Sequence, residues 1–131
     1  MPEPQYLFVY GTLRQDSHHP MSQVLQRHAR RLGAAVFAGR LYRVSWYPGA
    51  RDAARPGEVV QGELYQLLRP GCLQTLDAYE GPDFARVQRE VRTGPRHYTA
   101  WIYLYTPAVA DLPRIPGGDF AAITRRGAHT R

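Results

Sequence analysis

The first recognisable pattern is an unbroken apolar run. Gln5 to Tyr10 (QYLFVY) is a string of strand formers that stops at Gly11-Thr12, which predicts a buried first strand. The period then changes. Val24, Leu25, His28, Ala29 and Leu32 fall near one face of a helix predicted over Pro20 to Leu32. Pro20 suits a first helical position, and Arg27, Arg30 and Arg31 lie off the apolar face or near the helix end, where positive charge suits the dipole. Gly33 is the expected stop. Ala35 to Trp46 reads as a strand with a bend at Gly39, and Tyr47 to Glu58 as a loop punctuated by Pro48-Gly49 and Pro56-Gly57.

Strict alternation returns in Val59 to Leu67, where Val60, Gly62, Leu64 and Gln66 alternate with Gln61, Glu63, Tyr65 and Leu67. Pro70-Gly71 opens a short helix over Cys72 to Tyr79, and Gly81-Pro82 closes it. Phe84 to Thr93 and His97 to Thr106 predict two strands joined at Gly94-Pro95, a hairpin. In the second, Trp101, Tyr103 and Tyr105 share one face, and Ile102 and Leu104 the other. Two apolar faces imply burial on both sides or a closed sheet. The predicted class is α+β: a mixed, five- to six-stranded, barrel-like sheet flanked by short helices.

At 131 residues and 44% hydrophobic content, the chain suits one domain with a real core. That domain is placed at 1–120, with a short basic tail at 121–131. No window approaches the roughly 18 unbroken apolar residues of a membrane span. The first residues lack the basic and apolar regions of a secretory signal, so the cytoplasm is the expected compartment. Cys72 is the single cysteine and reads as a small buried hydrophobe. The net charge of +6 raises the question of nucleic acid. All 17 basic residues are arginine, and lysine and asparagine are absent, as a GC-rich genome would produce. Three of those arginines lie in the tail, so the domain itself carries about half the excess charge. Neither nucleic acid nor a membrane is the expected partner.

Two stretches are candidates for chemistry. At Tyr10-Gly11-Thr12-Leu13-Arg14, a glycine at a strand end allows close backbone approach, and successive amides there can form an anion-binding nest. Taken alone, an ordinary tight turn is the simpler reading. At Leu76-Asp77-Ala78-Tyr79-Glu80-Gly81, Glu80 stands at a predicted helix C-terminus, where the dipole disfavours its ionised form. Burial there would raise its pKa further and suit it to proton exchange near neutral pH. Taken alone, a solvent-facing glutamate is again the simpler reading, and Asp77 reads as a neighbouring or surface charge. The histidines show no ligand spacing, and no CxxC, HExxH or Gly-x-Ser-x-Gly occurs. No metal is called for. Among nine tyrosines, Tyr42, Tyr65, Tyr103 and Tyr105 are candidates to line a pocket.

The order of these segments resembles a known family. Phe8-Val9-Tyr10-Gly11-Thr12-Leu13-Arg14, Gln61-Gly62-Glu63-Leu64-Tyr65, Leu76-Asp77-Ala78-Tyr79-Glu80-Gly81, Phe84-Ala85-Arg86-Val87 and Trp101-Ile102-Tyr103 together look like the gamma-glutamylcyclotransferase-like family. The short bacterial members and the gamma-glutamylamine cyclotransferases are the nearest in pattern. The resemblance implies a mixed barrel whose cavity floor is the YGTL loop. It implies that Tyr10, Gly11, Thr12 and Leu13 hold the gamma-glutamyl part of a small-molecule substrate, and that Glu80 is the catalytic acid/base. The implied reaction releases 5-oxoproline and a free amine and needs no cofactor. Trp46-Tyr47-Pro48-Gly49 resembles a loop bordering that cavity. One departure stands out: Phe84 replaces a tyrosine common in the family, which bears on substrate orientation. The alternatives are a non-catalytic module that binds a small carboxylate on the same fold, and an adaptor that uses the arginine tail.

Overall fold

The computed structural model describes residues 4–11 and 20–120. Its strands are β1 (Gln5–Val9), β2 (Ala29–Arg43), β3 (Pro48–Asp52), β4 (Val59–Leu67), β5 (Phe84–Thr93) and β6 (Arg96–Tyr105). The helices α1 (Pro20–His28) and α2 (Cys72–Glu80) precede β2 and β5. The strands run β3-β2-β4-β1-β6-β5, and a further β2–β5 pairing closes five of them into a barrel with β3 outside. All pairings are antiparallel except β1 with β6. The expected mixed, barrel-like sheet with short helices is therefore the observed one.

Closure explains the two apolar faces of the strands. Phe8, Phe37, Val60, Leu64, Val91, Ile102 and Leu104 fill the barrel. Leu7, Val9, Tyr65 and Tyr103 point the other way and pack with Leu25 of α1 and Leu73 and Leu76 of α2. A wall strand covered on both sides has no polar face, which is why the sequence reads as continuous apolar runs. At Gly62 of β4 the neighbouring strand β1 comes close. A Cβ there would lie 2.2 Å from the Val9 carbonyl oxygen and 2.7 Å from the Phe8 ring.

Four local expectations are corrected. The first helix ends at His28, not Leu32, because Ala29 to Ala38 zips onto β4. Local periodicity favours helix there, but nine ladder pairs outweigh it. Gly33 is not a helix stop. It sits at an irregularity in that ladder between Arg31 and Gly33, with φ of 147°. The segment from Tyr47 to Glu58 is not all loop, since β3 pairs with Gly39–Arg43 of β2. Pro48 is the first residue of that strand, a place where its missing N–H is tolerated. At Gly39, β2 leaves β4 and takes β3 as its partner, and its length runs from Ala29 to Arg43 instead of Ala35 to Trp46.

The β5–β6 hairpin matches its expectation closely. Its register runs from Phe84↔Tyr105 to Thr93↔Arg96. Gly94, with φ of 56°, supplies the positive φ that such a two-residue connection requires at its first position. No helix among the described residues is long and apolar enough to cross a membrane. The basic tail at 121–131 lies outside the described residues, as do Thr12 and Leu13.

Gly62→Ala tests the close approach of β1 at this position. The added methyl meets backbone, which cannot swing aside, so stability should fall by about 1–3 kcal/mol. A urea titration should show a lower midpoint with an unchanged slope.

Candidate active site

One cavity of about 250 Å3 opens at the end of the barrel where β1 gives way to Gly11. Glu80 lines it from the last position of α2, Tyr10 and Gly11 from the end of β1, and Tyr103 from β6. Trp46, Tyr47 and Pro48 close another side, as the resemblance implied for that loop, and Tyr79 and Phe84 complete the described wall. Of the five residues carried over from the resemblance, three line this cavity. Glu80, Tyr10 and Gly11 meet around one space, whereas Thr12 and Leu13 fall outside the described residues.

Glu80 is the only carboxyl among the described lining residues. Burial, and then the negative charge of Asp77, push its pKa up from the ordinary 4.5 to about 7. The C-terminal end of α2 acts in the same direction. Gly81 ends the helix with φ of 81°, and its N–H donates to the Asp77 carbonyl at 3.1 Å. A carboxyl with this proton affinity gives and takes protons readily at neutral pH.

Tyr10 is held more tightly than its position at the cavity suggests. Its hydroxyl donates to the Tyr103 carbonyl at 2.5 Å and accepts from the Ala50 N–H at 3.2 Å. Burial holds its proton well above the usual phenol range. The phenol therefore ties the end of β1 to β3 and β6, and the residue lines the cavity. Gly11 allows the loop to abut Pro48, whose ring carbons would lie 2.9 Å from any added Cβ.

Aromatic rings form a continuous path along one wall. Trp46 stacks edge-on to Tyr47 at 5.1 Å, Tyr47 lies 6.0 Å from Phe84, and Phe84 meets Tyr105 at 5.4 Å. Phe84 contributes to that wall a ring with no hydroxyl. Of the four tyrosines singled out as pocket candidates, only Tyr103 is among the described lining residues. Tyr65 is buried among outer-face residues beneath the helices and donates to Glu63 at 3.2 Å. Tyr42 receives a bond from Arg40 at 3.0 Å, and Tyr105 stands behind Phe84. Tyr79 was not singled out by the sequence; its place one residue before Glu80 was the available signal. Asp77, read from sequence as a neighbour or surface charge, accepts bonds from Arg86 and Tyr103. Among the described residues no cluster of three His, Cys, Asp or Glu is placed to hold a metal.

The described residues thus form a small closed barrel with one carboxyl of raised proton affinity in an aromatic-walled cavity. The family described as "Gamma-glutamyl cyclotransferase, AIG2-like" matches residues 7–122, and the chain belongs to that family. Gamma-glutamylcyclotransferase family protein YtfP of Escherichia coli (strain K12) is 34% identical over 120 residues, covering 87% of this chain and 94% of that protein. The crystal structure of YkqA from Bacillus subtilis superposes with a TM-score of 0.78 at 22% identity, over 97% of this chain and 43% of that one. The crystal structure of an AIG2-like protein from Mus musculus gives a TM-score of 0.72 at 20% identity, over 91% of this chain and 89% of that one. At such identities these two structures speak for the fold alone.

Two stability measurements follow from this geometry. Tyr10→Phe strands a buried N–H and a buried carbonyl and should cost about 1–3 kcal/mol in urea unfolding. Glu80→Gln should do the reverse, in a pH-dependent way. The unfolded Glu80 loses its proton near 4.5 and the folded one near 7. Stability from the protonated group is full below the lower value and is lost as pH rises through the upper. Glu80→Gln should therefore match the wild type at pH 4 and exceed it at pH 8 by about 1–3 kcal/mol.

Proposed function

We propose that the protein is a gamma-glutamyl cyclotransferase that releases 5-oxoproline and a free amine from a gamma-glutamyl amine or amide. The observation that carries this reading is the Glu80 carboxyl, the only one among the described lining residues, with its pKa raised to about 7 beside Tyr10 and Gly11. The family membership supports it.

The reaction supplies its own nucleophile, so the chain's residues need only fold the substrate and move protons. Glu80, as carboxylate, takes a proton from the substrate's α-ammonium. The freed amine attacks the γ-carbonyl carbon and forms the C–N bond of the five-membered ring. The attacking nitrogen gives up a second proton, and the old C–N bond breaks as the leaving nitrogen is protonated. Two protons leave one nitrogen and two reach the other, so no atom is gained or lost. One carboxyl can relay both when its pKa lies near the working pH.

The other named residues position. Gly11, with Thr12 and Leu13 after it, is assigned to the glutamyl group, its amides serving the α-carboxylate or the developing oxyanion. Tyr10 contributes its ring and backbone, since its hydroxyl is already committed. The aromatic wall of Tyr47 and Phe84 packs against the substrate and keeps water from the reacting atoms.

A panel of gamma-glutamyl amines and dipeptides, scored for 5-oxoproline by mass spectrometry, tests the proposal. The wild type should turn over at least one, and Glu80→Gln, folded by circular dichroism, should lose about 100-fold or more. Activity surviving in Glu80→Gln would remove Glu80 from the mechanism. The wild-type kcat/KM should rise with pH up to about 7 and level beyond it, because the accepting form is the ionised one.

A further inference from the structure

The last turn of α2 is tied to the β5–β6 hairpin through one carboxylate. Asp77 accepts two bonds from Arg86, Nε to Oδ1 at 2.7 Å and Nη2 to Oδ2 at 3.1 Å. It also accepts the Tyr103 hydroxyl at 2.7 Å on Oδ1. Arg86 and Tyr103 stand directly opposite each other on β5 and β6, so both donors converge from paired strands. Arg86 is itself braced. Its guanidinium lies 4.4 Å from the centre of the Trp101 ring, and the Trp101 indole donates to Gln5 at 3.1 Å. Isolated surface ion pairs contribute little. This one is bidentate, part-buried and shares its acceptor with a third donor, which makes it a defined joint.

The joint touches the candidate site at two points. Glu80 lies three residues beyond Asp77, so both carboxylates project from neighbouring places on one helix face. Tyr103 lines the cavity from the barrel side. Among the described residues, the titratable groups that face Glu80 are Asp77 and Tyr79 from α2, Tyr10 just after β1, Tyr47 from the segment before β3, and Tyr103 from β6. Burial holds the phenols of Tyr10 and Tyr103 protonated, and Asp77 adds to this at Tyr103. Among these described groups, Asp77 is thus the one full negative charge acting on Glu80, and Arg86 is the positive charge set against it.

We propose that Asp77, clamped by Arg86 and Tyr103, is the positioning residue of the site: it docks the last turn of α2 and, through its charge balance with Arg86, sets the pH at which Glu80 exchanges its proton. The proposal rests on the reading of Glu80 as the acid/base.

Titration of the Glu80 side-chain carboxyl by 13C NMR, assigned by its loss in Glu80→Gln, tests it without turnover; the kcat/KM–pH profile tests it with turnover. Asp77→Asn should lower the Glu80 midpoint by about half a unit, and Arg86→Met should raise it by a similar amount. Arg86→Lys should restore it towards the wild-type value. A purely structural joint would lower stability in both variants without opposed shifts. Midpoints that stay put, or that move in the same direction, overturn the proposal. If circular dichroism shows that Asp77→Asn does not fold, Arg86→Met alone decides, with a rise in support and no rise against. Opposed shifts in a protein that forms no 5-oxoproline would leave the joint standing and strike only the assigned reaction.

Discussion

Closure of the barrel is the constraint on which the rest depends. β1 sits between an antiparallel neighbour, β4, and a parallel one, β6, so its backbone groups find ladder partners on both edges. Its side chains alternate between the barrel interior, at Phe8 and Tyr10, and the helix-covered outside, at Leu7 and Val9. Such a strand ends only where the barrel ends. There Gly11 turns away, and there the cavity opens. The site thus lies where β1 runs out of partners.

The chemistry of the cavity follows from the same packing. α2 covers the outer face of the barrel through Leu73 and Leu76 and comes to its end at the rim. Glu80, its last residue, is therefore pressed against an apolar, aromatic wall instead of projecting into water. Desolvation then favours the protonated carboxyl. Asp77 has the opposite fate three residues earlier. The Arg86 guanidinium holds its carboxyl below the usual range, with Tyr103 adding to the effect. Two acids on one turn of helix are thus separated in proton affinity by their neighbours.

Much of the fold was legible in the chain. The run of strand formers at Gln5 to Tyr10, the alternation at Val59 to Leu67 and the hairpin about Gly94 have strong local signals, and each appears within a residue or so of its expected place. The misplaced segments are those whose local signal conflicts with a distant partner. Ala29 to Leu32 continues a helical face but is drawn into a ladder with β4. Pro48-Gly49 reads as a turn, yet Gly49 is an ordinary ladder residue opposite Tyr42, close against the Tyr105 side chain.

The candidate site divides along the same line. By itself the sequence determined which residue types stand at the strand ends and helix ends: a glycine after the first strand, a glutamate closing a short helix, a phenylalanine opening the strand after it. Those features depend on local order, and local order is written in sequence. Only the tertiary structure decided that Glu80 and Tyr10 share a cavity, that the Tyr10 hydroxyl is spent on Tyr103 and Ala50, and that Asp77 belongs to Arg86. These contacts join positions 93, 40 and nine residues apart, respectively, for Tyr10 with Tyr103, Tyr10 with Ala50, and Asp77 with Arg86. They exist because a closed barrel brings distant strand ends to one rim, and no local periodicity encodes which residues meet there.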